Sequence, residues 1–404
     1  MKRLLHILFW AVMIGLFAQF LPSIYNYVFV KAPKSNFTLY SSVSNEFVHL
    51  KSTDNGVIRE NVTGSRVYTE SQFDSILPFF YLRQLVSEGR FPDSINGRPT
   101  PMKEAQRYNF MFRYTPSDYF KDRILLFPLF ESMSGRVDLK MPDDFMRINN
   151  EGIQFIIAET NSIDSEKSEL FTKTFINEGF TFPAKQIWGN PSPKKEYDEG
   201  YFIKDANDKL FHLKRMCNRP FIREVKQPDN QNIKWFNVTE FRNKAFFGVG
   251  FDSNRNVYML EKPSYTWVKL PVGPFNPESD RMLIVGEPIN WTVQTTNGTI
   301  NNYYAIAASD YSVTDSYQVK NDENIYTTIA KYIFPFELKF TTPNDDQIKL
   351  RIENFSPFAL IFNLIIATFV FLNDRKSIKE ALMILIFGLY AFIPYLLYRK
   401  YFTN

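Results

Sequence analysis

Between residues 37 and 353 apolar and polar positions alternate in short runs, and the runs come in pairs around polar turns. YFIK and LFHL flank DAND (205–208), FGVGF and VYML flank SNRN (253–256), INWTVQ and INNYYAI flank TTNG (295–298), and FELKF and QIKLRI flank PNDD (343–346). A period of two predicts strands with one face turned to a core. Asn, Asp and Gly between two such strands predict tight hairpin turns, because they tolerate the positive φ those turns need. Successive turns begin 48, 42 and 48 residues apart. A looser copy runs through IQFIIAET–NSIDSEK–LFTKTF (153–175), and another hairpin, FTLYSSVSNEFVHL, occupies 37–50. FIREV (221–225), TWVKL (266–270) and YSVTDSY (311–317) add further short strands.

A unit of about 40–50 residues built from a hairpin and one or two more strands is the pattern of a propeller blade. Such a unit cannot cover both faces of its own sheet, so it stacks on its neighbours. The expected fold is mainly β, a β-propeller-like repeat domain, closing by pairing of the N-terminal strands with the last blade near 336–352. An irregular β-sandwich would read similarly, and the chain has no WD or kelch signature. Residues 70–125 interrupt the alternation. Phe73, Ile76, Leu77, Phe80, Leu82, Leu85 and Val86 approach helical spacing, with Pro78 inside the run and Gly89 and Pro92 at its end. This small helical insertion is the expected place for a binding surface, since irregular excursions from a rigid scaffold often carry function; a cap over one end of the β domain is the plainer alternative.

The chain ends follow a different pattern. After Lys2 and Arg3, Leu4–Leu21 is an apolar run whose one ionisable residue is His6. Near the other end, Phe358–Leu372 and Ala381–Tyr398 flank the charged segment Asn373–Glu380. A membrane-crossing helix needs roughly 17–25 apolar residues, so three transmembrane helices are expected, one N-terminal and two C-terminal. A cleaved signal peptide is the alternative for the first run, but Leu16 stands where a small residue of the cleavage site belongs. Tyr395, Tyr398, Tyr401, Arg399 and Lys400 read as an interfacial anchor. Lys2 and Arg3, with Arg375, Lys376 and Lys379, would then lie on the cytoplasmic side, and Lys31, Lys34, Arg399 and Lys400 opposite. The expected layout is therefore 1–30 first span, 31–355 extracytoplasmic β domain and 356–404 membrane hairpin. Gly15, Ser23, Ala367 and Gly388 are the small residues that would allow close approach of membrane helices.

Composition narrows the chemistry. The chain carries 41 Phe and 22 Tyr, which excludes wholesale disorder and supplies rings to pack between repeats. A net charge of +4 over 90 charged residues gives no basic patch, so nucleic acid is not an expected partner. One cysteine, Cys217, makes no internal disulfide, which is ordinary for a bacterial envelope protein. His6, His49 and His212 are scattered, and no HExxH or CxxC occurs, so no metal or other cofactor is expected. The Gly248-Val-Gly250 sequence lies within a strand rather than at a strand-to-helix turn, and Ser192-Pro-Lys-Lys195 lies in a Pro-rich loop that no helix organises. Paired carboxylates across a cleft remain, for which Glu131, Asp143, Asp144 and Asp280 are the candidates.

At LPFFYLRQLVSEGRFPDSING (77–97) and LFPLFESMSGRVDLKMPDDFMRI (126–148) the chain resembles an uncharacterised family of bacterial envelope proteins, known as a domain of unknown function and often encoded near ABC-transporter genes. The resemblance covers most of the chain and its one-plus-two arrangement of membrane segments. It implies no catalytic residue; it implies partners, an ABC-type permease and its ATPase. The expectation is a membrane-anchored interaction module of the bacterial inner membrane, with its main domain periplasmic, acting as accessory subunit of a membrane complex. An envelope hydrolase or ligand-binding sensor is the alternative.

Overall fold

A computed structural model describes residues 2–30, 36–53, 55–120, 125–133, 135, 139–228, 231–321, 324–340, 348, 350–373, 375 and 377–402. The chain forms two compact units, residues 36–319, and residues 1–35 together with 320–404.

Residues 36–319 are mainly β; the described residues form five antiparallel sheets of three to five strands and one short two-stranded pair. The first is β1 (Phe37–Ser41), β2 (Glu46–Thr53) and β3 (Gly56–Asn61). The insertion follows: α2 (Glu70–Ile76), α3 (Leu82–Ser87), the short pair β4 (Ser94–Ile95) and β5 (Arg98–Pro99), α4 (Met102–Tyr108), β6 (Phe110–Tyr114) and α5 (Pro116–Phe120). The second sheet is β7 (Asp144–Ile148), β8 (Ile153–Ile157) and β9 (Ser162–Asp164), covered by α6 (Ser165–Asn177). Two four-stranded meanders come next: β10 (Gln186–Gly189), β11 (Tyr201–Lys204), β12 (Leu210–Met216) and β13 (Arg219–Val225), then β14 (Ile233–Val238), β15 (Phe246–Asp252), β16 (Val257–Glu261) and β17 (Trp267–Lys269). The fifth sheet takes β18 (Arg281–Gly286), β19 (Asn290–Thr296), β20 (Ile300–Ala307) and β21 (Val313–Lys320), with β6 added beside β18.

The alternating pairs predicted at 37–50, 201–213, 247–260 and 289–306 are hairpins; Asn45, Asp208 and Gly298 take positive φ as expected, while in SNRN it is Arg255 that does so rather than an Asn. Two segments differ from expectation. LFTKTF is helix rather than strand: Asp164 caps α6 by accepting from the Lys167 N–H at 3.0 Å, and Phe171 and Phe175, four residues apart, bury their rings on one face. The insertion also contributes a strand, because FMFRY alternates and pairs with β18 in the register Phe110↔Gly286 to Tyr114↔Met282.

Aromatic clusters join sheet to sheet. Tyr40 and Phe47 of the first sheet pack with Tyr303 of the fifth. Trp291 and Met282 of the fifth pack with Trp235 and Phe251 of the fourth. Phe236 and Phe247 of the fourth meet Phe202 of the third, and Phe211 and Tyr201 of the third meet Phe155 of the second. The N-terminal sheet therefore packs against the sheet ending at Lys320, not near 336–352 as expected, because those later residues belong to the other unit. Among the described residues no cluster joins the first sheet to the second.

At one end of the third and fourth sheets the loops bury a network of charges. Lys195 Nζ lies 2.5 Å from Asp198 and 2.8 Å from Glu240, and Glu199 takes Lys262 at 2.8 Å and Lys214 at 3.1 Å. The Lys195, Asp198 and Glu240 side chains are at most 4% exposed. Desolvation pushes the Glu240 carboxyl up, and Lys195 opposes that shift. His212 is buried beside this network, stacked 4.3 Å from the Phe202 ring; its Nε2–H donates to the Glu199 carbonyl and its Nδ1 accepts from Tyr265. Burial pushes its pKa down to about 3, so it stays neutral and structural.

The other unit is mostly helical. α1 (Lys2–Phe29) is long and apolar enough to cross a membrane. It is joined by α7 (Ile325–Ile333), the hairpin β22 (Glu337–Lys339) with β23 (Arg351–Glu353), α8 (Ala359–Asn373), α9 (Ile378–Phe387) and α10 (Leu389–Phe402). The predicted turn 343–346, Lys31, Lys34 and Lys376 lie outside the described residues. The expected single span 381–398 is broken: Gly388, at φ 58°, closes α9, and its carbonyl accepts from Ala391 and Phe392 to open α10. A Cβ at Gly388 would stand 2.1 Å from Asn363 Oδ1, so a side chain has no room there.

Ring contacts give α10 its direction. Tyr398 near its end lies 6.2 Å from Phe9 of α1, while Phe334 lies 6.1 Å from Tyr390 and 5.4 Å from Tyr25. The helix therefore runs back alongside α1, antiparallel to it. Tyr326 of α7 touches Phe29, and Tyr332 touches Phe358, so α8 starts at the end of the bundle where α1 finishes.

Breaking one partner of a buried ion cluster leaves an uncompensated charge. Lys195→Met is expected to cost about 3–5 kcal/mol of stability, measured by urea unfolding followed through tryptophan fluorescence; an effect below about 1 kcal/mol would mean the cluster is solvated.

Candidate functional site

The four acids of the predicted cleft are each engaged by their own neighbours. Glu131 lies 3.4 Å from Arg215 and accepts from the Asn218, Cys217 and Met133 N–H groups; against desolvation, those N–H groups, and Arg215 after them, hold its carboxyl below the usual range. Asp143 is exposed near Lys140, and Asp144 pairs with Lys167 at 2.5 Å. Asp280 closes the turn from Asn276 by accepting its N–H at 2.8 Å and the Ser279 hydroxyl at 2.7 Å. No two of them share a partner among the described contacts. Of the small membrane-helix residues, Ala367 is buried in the helical core and Gly388 abuts Asn363, while Gly15 has no neighbour within 4 Å of its Cβ direction and exposed Ser23 donates to its own helix at Gln19.

The site with unusual chemistry is elsewhere, where the insertion meets the fifth sheet. Along β6 and β18 the alternation sends Phe110, Phe112 and Ile284 into the shared core. Met111 and Val285 turn to the other face and line a pocket of about 310 Å³. Asn109 and Glu287 each lie one residue past the last ladder pair, Phe110↔Gly286, two residues from Met111 and Val285 respectively. Both line this pocket. Leu39 and Tyr40 of β1 and Leu77, Phe79 and Phe80 between α2 and α3 complete the apolar wall. Glu287 also borders a second pocket of about 290 Å³, together with Arg98, Glu104 and Trp291.

Local hydrogen bonds hold the pieces in place. The capping box of Thr69 and Gln72 starts α2. Ser41 donates to the Ile76 carbonyl at 2.6 Å, Asn96 Nδ2 to the Ser42 carbonyl at 2.7 Å, and Asn109 Nδ2 to the Phe79 carbonyl at 2.7 Å. Gly286 is required because a Cβ there would stand 2.1 Å from the Phe110 ring.

Glu287 has no ion pair among the described residues. Its carboxylate accepts from the Ser42 hydroxyl and from the Asn290 N–H, and Asn290 Nδ2 donates to Ser42 Oγ at 2.8 Å. Arg98 is nearby but committed, to Glu104 and to the Pro288 carbonyl, each at 3.0 Å. Loss of water pushes the Glu287 pKa up to about 8, more than those two hydrogen bonds restore. Opposite it, Asn109 Oδ1 is buried with no hydrogen-bond partner among the described residues. The arrangement holds a proton at neutral pH in an aromatic-walled pocket; it has no second acid and no described His/Cys/Asp/Glu group suited to a metal.

A domain of unknown function, DUF4857, matches residues 37–306, which contain this site in full. The chain belongs to the DUF4857 family. No curated protein matches it in sequence. Among solved structures, a Dos1 propeller shares 8% identity over 45% of this chain and 46% of that one, at a TM-score of 0.26. The Kuenenia stuttgartiensis hydrazine synthase shares 10% identity over 44% and 46%, at 0.25. PorZ, a surface component of the type-IX secretion system of Porphyromonas gingivalis, shares 9% over 72% and 32%, at 0.22. The DUF4857 chain spans less than half the length of each of these three.

Folded Glu287 keeps its proton to about pH 8, whereas an unfolded glutamate releases it near 4.5. Its contribution to stability is therefore full below pH 4.5 and lost as pH rises to 8. Glu287→Gln is expected to remove that decline, seen as up to one proton fewer in the slope of unfolding free energy against pH between 5 and 8. Identical slopes in both proteins would place the carboxyl in water.

Proposed function

We propose that this DUF4857 protein is a membrane-anchored extracytoplasmic binding module, an accessory subunit of an inner-membrane complex such as an ABC-type transporter, with the Glu287 pocket as its binding seat. The pocket supports this reading: one neutral carboxyl within an apolar wall suits recognition, and among the described residues no second acid lines it. In finer form, the five sheets that pack in succession are blades of a propeller-like array.

The helical unit supports the anchor. Ile7, Leu8, Val12, Leu16, Phe20 and Ile24 of α1 are exposed, as are Leu360, Ile361, Leu364, Ile365 and Phe369 of α8. Such rows suit lipid or the helices of a partner. We read α1 as a crossing, α8 as a second one whose 15 helical residues are extended by the flanking Phe355–Phe358, and α9–α10 as a re-entrant hairpin that turns at Gly388. Irregular backbone at membrane depth is tolerated where protein surrounds it, and Asn363 packs over this turn, donating to the Leu385 carbonyl at 3.3 Å. Since α10 returns beside the start of α1, Arg399 joins Lys2, Arg3, Arg375 and Lys379 at one end, which favours that end as cytoplasmic.

A green fluorescent reporter after Asn404 is expected to fluoresce, while an alkaline phosphatase fusion in the 150s is expected to be active outside the cytoplasm. A phosphatase-active C-terminal fusion would restore three crossings. Gentle detergent extraction at native expression is expected to bring down a permease and an ATPase; purification of the protein alone would remove the subunit role.

A further inference from the structure

The pocket has two polar groups, and both ask for the same thing. Glu287 is a carboxyl without a cation: among the residues that line this pocket none is Lys or Arg. Asn109 Oδ1 is a buried acceptor without a donor. Asn109 and Glu287 each stand one residue beyond the last ladder pair, Phe110↔Gly286, and they line one pocket with Tyr40, Phe79 and Phe80. An ammonium head satisfies every part of this arrangement. It supplies the missing counter-charge to Glu287, N–H donors to both Glu287 and Asn109, and a cation for the faces of the aromatic rings. A neutral alcohol matches only the hydrogen bonds, and an anion meets a carboxyl with no cation to offset it.

We propose that the pocket between Asn109 and Glu287 binds a small apolar primary amine, its ammonium between the two side chains and its hydrocarbon against the aromatic wall. The inference rests on the reading of this pocket as the binding seat, and it adds the ligand's charge and class. A volume of about 310 Å³ holds on the order of ten waters at ~30 Å³ each, which limits the guest to a single short chain or ring.

Binding is linked to a proton. Below pH 8 Glu287 carries one, and an arriving ammonium displaces it to solvent, so affinity rises with pH until the carboxyl is already ionised. The other charged and titratable groups around Glu287 do not produce this dependence. Arg98 and Glu104 from the insertion are paired with each other. The phenols of Tyr40 on the first sheet and Tyr311 after β20 are pushed above their ordinary range by burial, and Tyr108 ends α4 as a third phenol. The amine itself stays protonated to about pH 10.

The test is calorimetric titration of the full chain in detergent with hexylamine and, as the neutral match, 1-hexanol. Hexylamine is expected to bind about tenfold more tightly for each pH unit between 6 and 8, while hexanol binds more weakly and without pH dependence. Asn109→Ala is expected to weaken hexylamine several-fold and keep the pH slope; Glu287→Gln is expected to abolish the slope and cost at least tenfold at pH 8. Hexanol binding as tightly as hexylamine at pH 8, or a flat pH profile in the unmutated protein, would overturn the amine class and leave the pocket as a binding seat for something uncharged. Binding of neither probe at millimolar concentration would overturn both the class and the seat.

Discussion

A half-buried carboxyl group with no ion-pair partner among the described residues is the constraint on which the candidate site of the β domain depends. Glu287 gets two hydrogen bonds, from Ser42 and Asn290, and they do not offset its desolvation. A chain selected for stability alone would place a neutral residue there or move a cation across. Arg98 is close enough to the same loop to hold the Pro288 carbonyl, yet its charge is spent on Glu104. Local cost retained within a rigid frame is what a binding seat looks like in physical terms. The frame is rigid here because the seat stands on the β6–β18 ladder, with a packed aromatic core on the opposite face.

The scaffold was legible in the chain and the seat was not. Strand pairs such as 201–204 with 210–213 announce themselves, because alternation, a polar turn and a residue at positive φ all fall within fifteen positions. The same alternation misleads at 170–175: LFTKTF suits a strand, but Asp164 caps a helix and the Phe171–Phe175 spacing serves it better. β6 stayed hidden since its partner lies far along the chain, and local pattern carries no information about such pairing. Glu287 suffered similarly. A lone acid in VGEPIN reads as a turn residue, and only the pocket it shares with Asn109 singles it out. One signal was present: the insertion, picked out as an interruption of the repeat, supplies half of the residues that line the pocket.

In the helical unit, length and hydropathy identified α1 but misjudged the last apolar run. Gly388 looked like one small residue among many. Its positive φ and the side chain of Asn363 against it turn a single long segment into two short helices. Under the proposed re-entrant arrangement, Arg399 no longer opposes the other basic residues, as it does when the run is counted as a crossing. Apolar composition does not show where a run is broken; the contacts of Tyr390 and Tyr398 show that this one returns alongside α1.

The protonation state of Glu287 tests the account at its root. Carbon-13 NMR of side-chain-labelled glutamate, with the resonance assigned by its loss in Glu287→Gln, reads the carboxyl directly without ligand or unfolding. The account predicts a titration midpoint near 8. A midpoint near 4.5, the ordinary glutamate value, would mean that water or an unseen cation reaches the group, and the seat would lose the property that defines it.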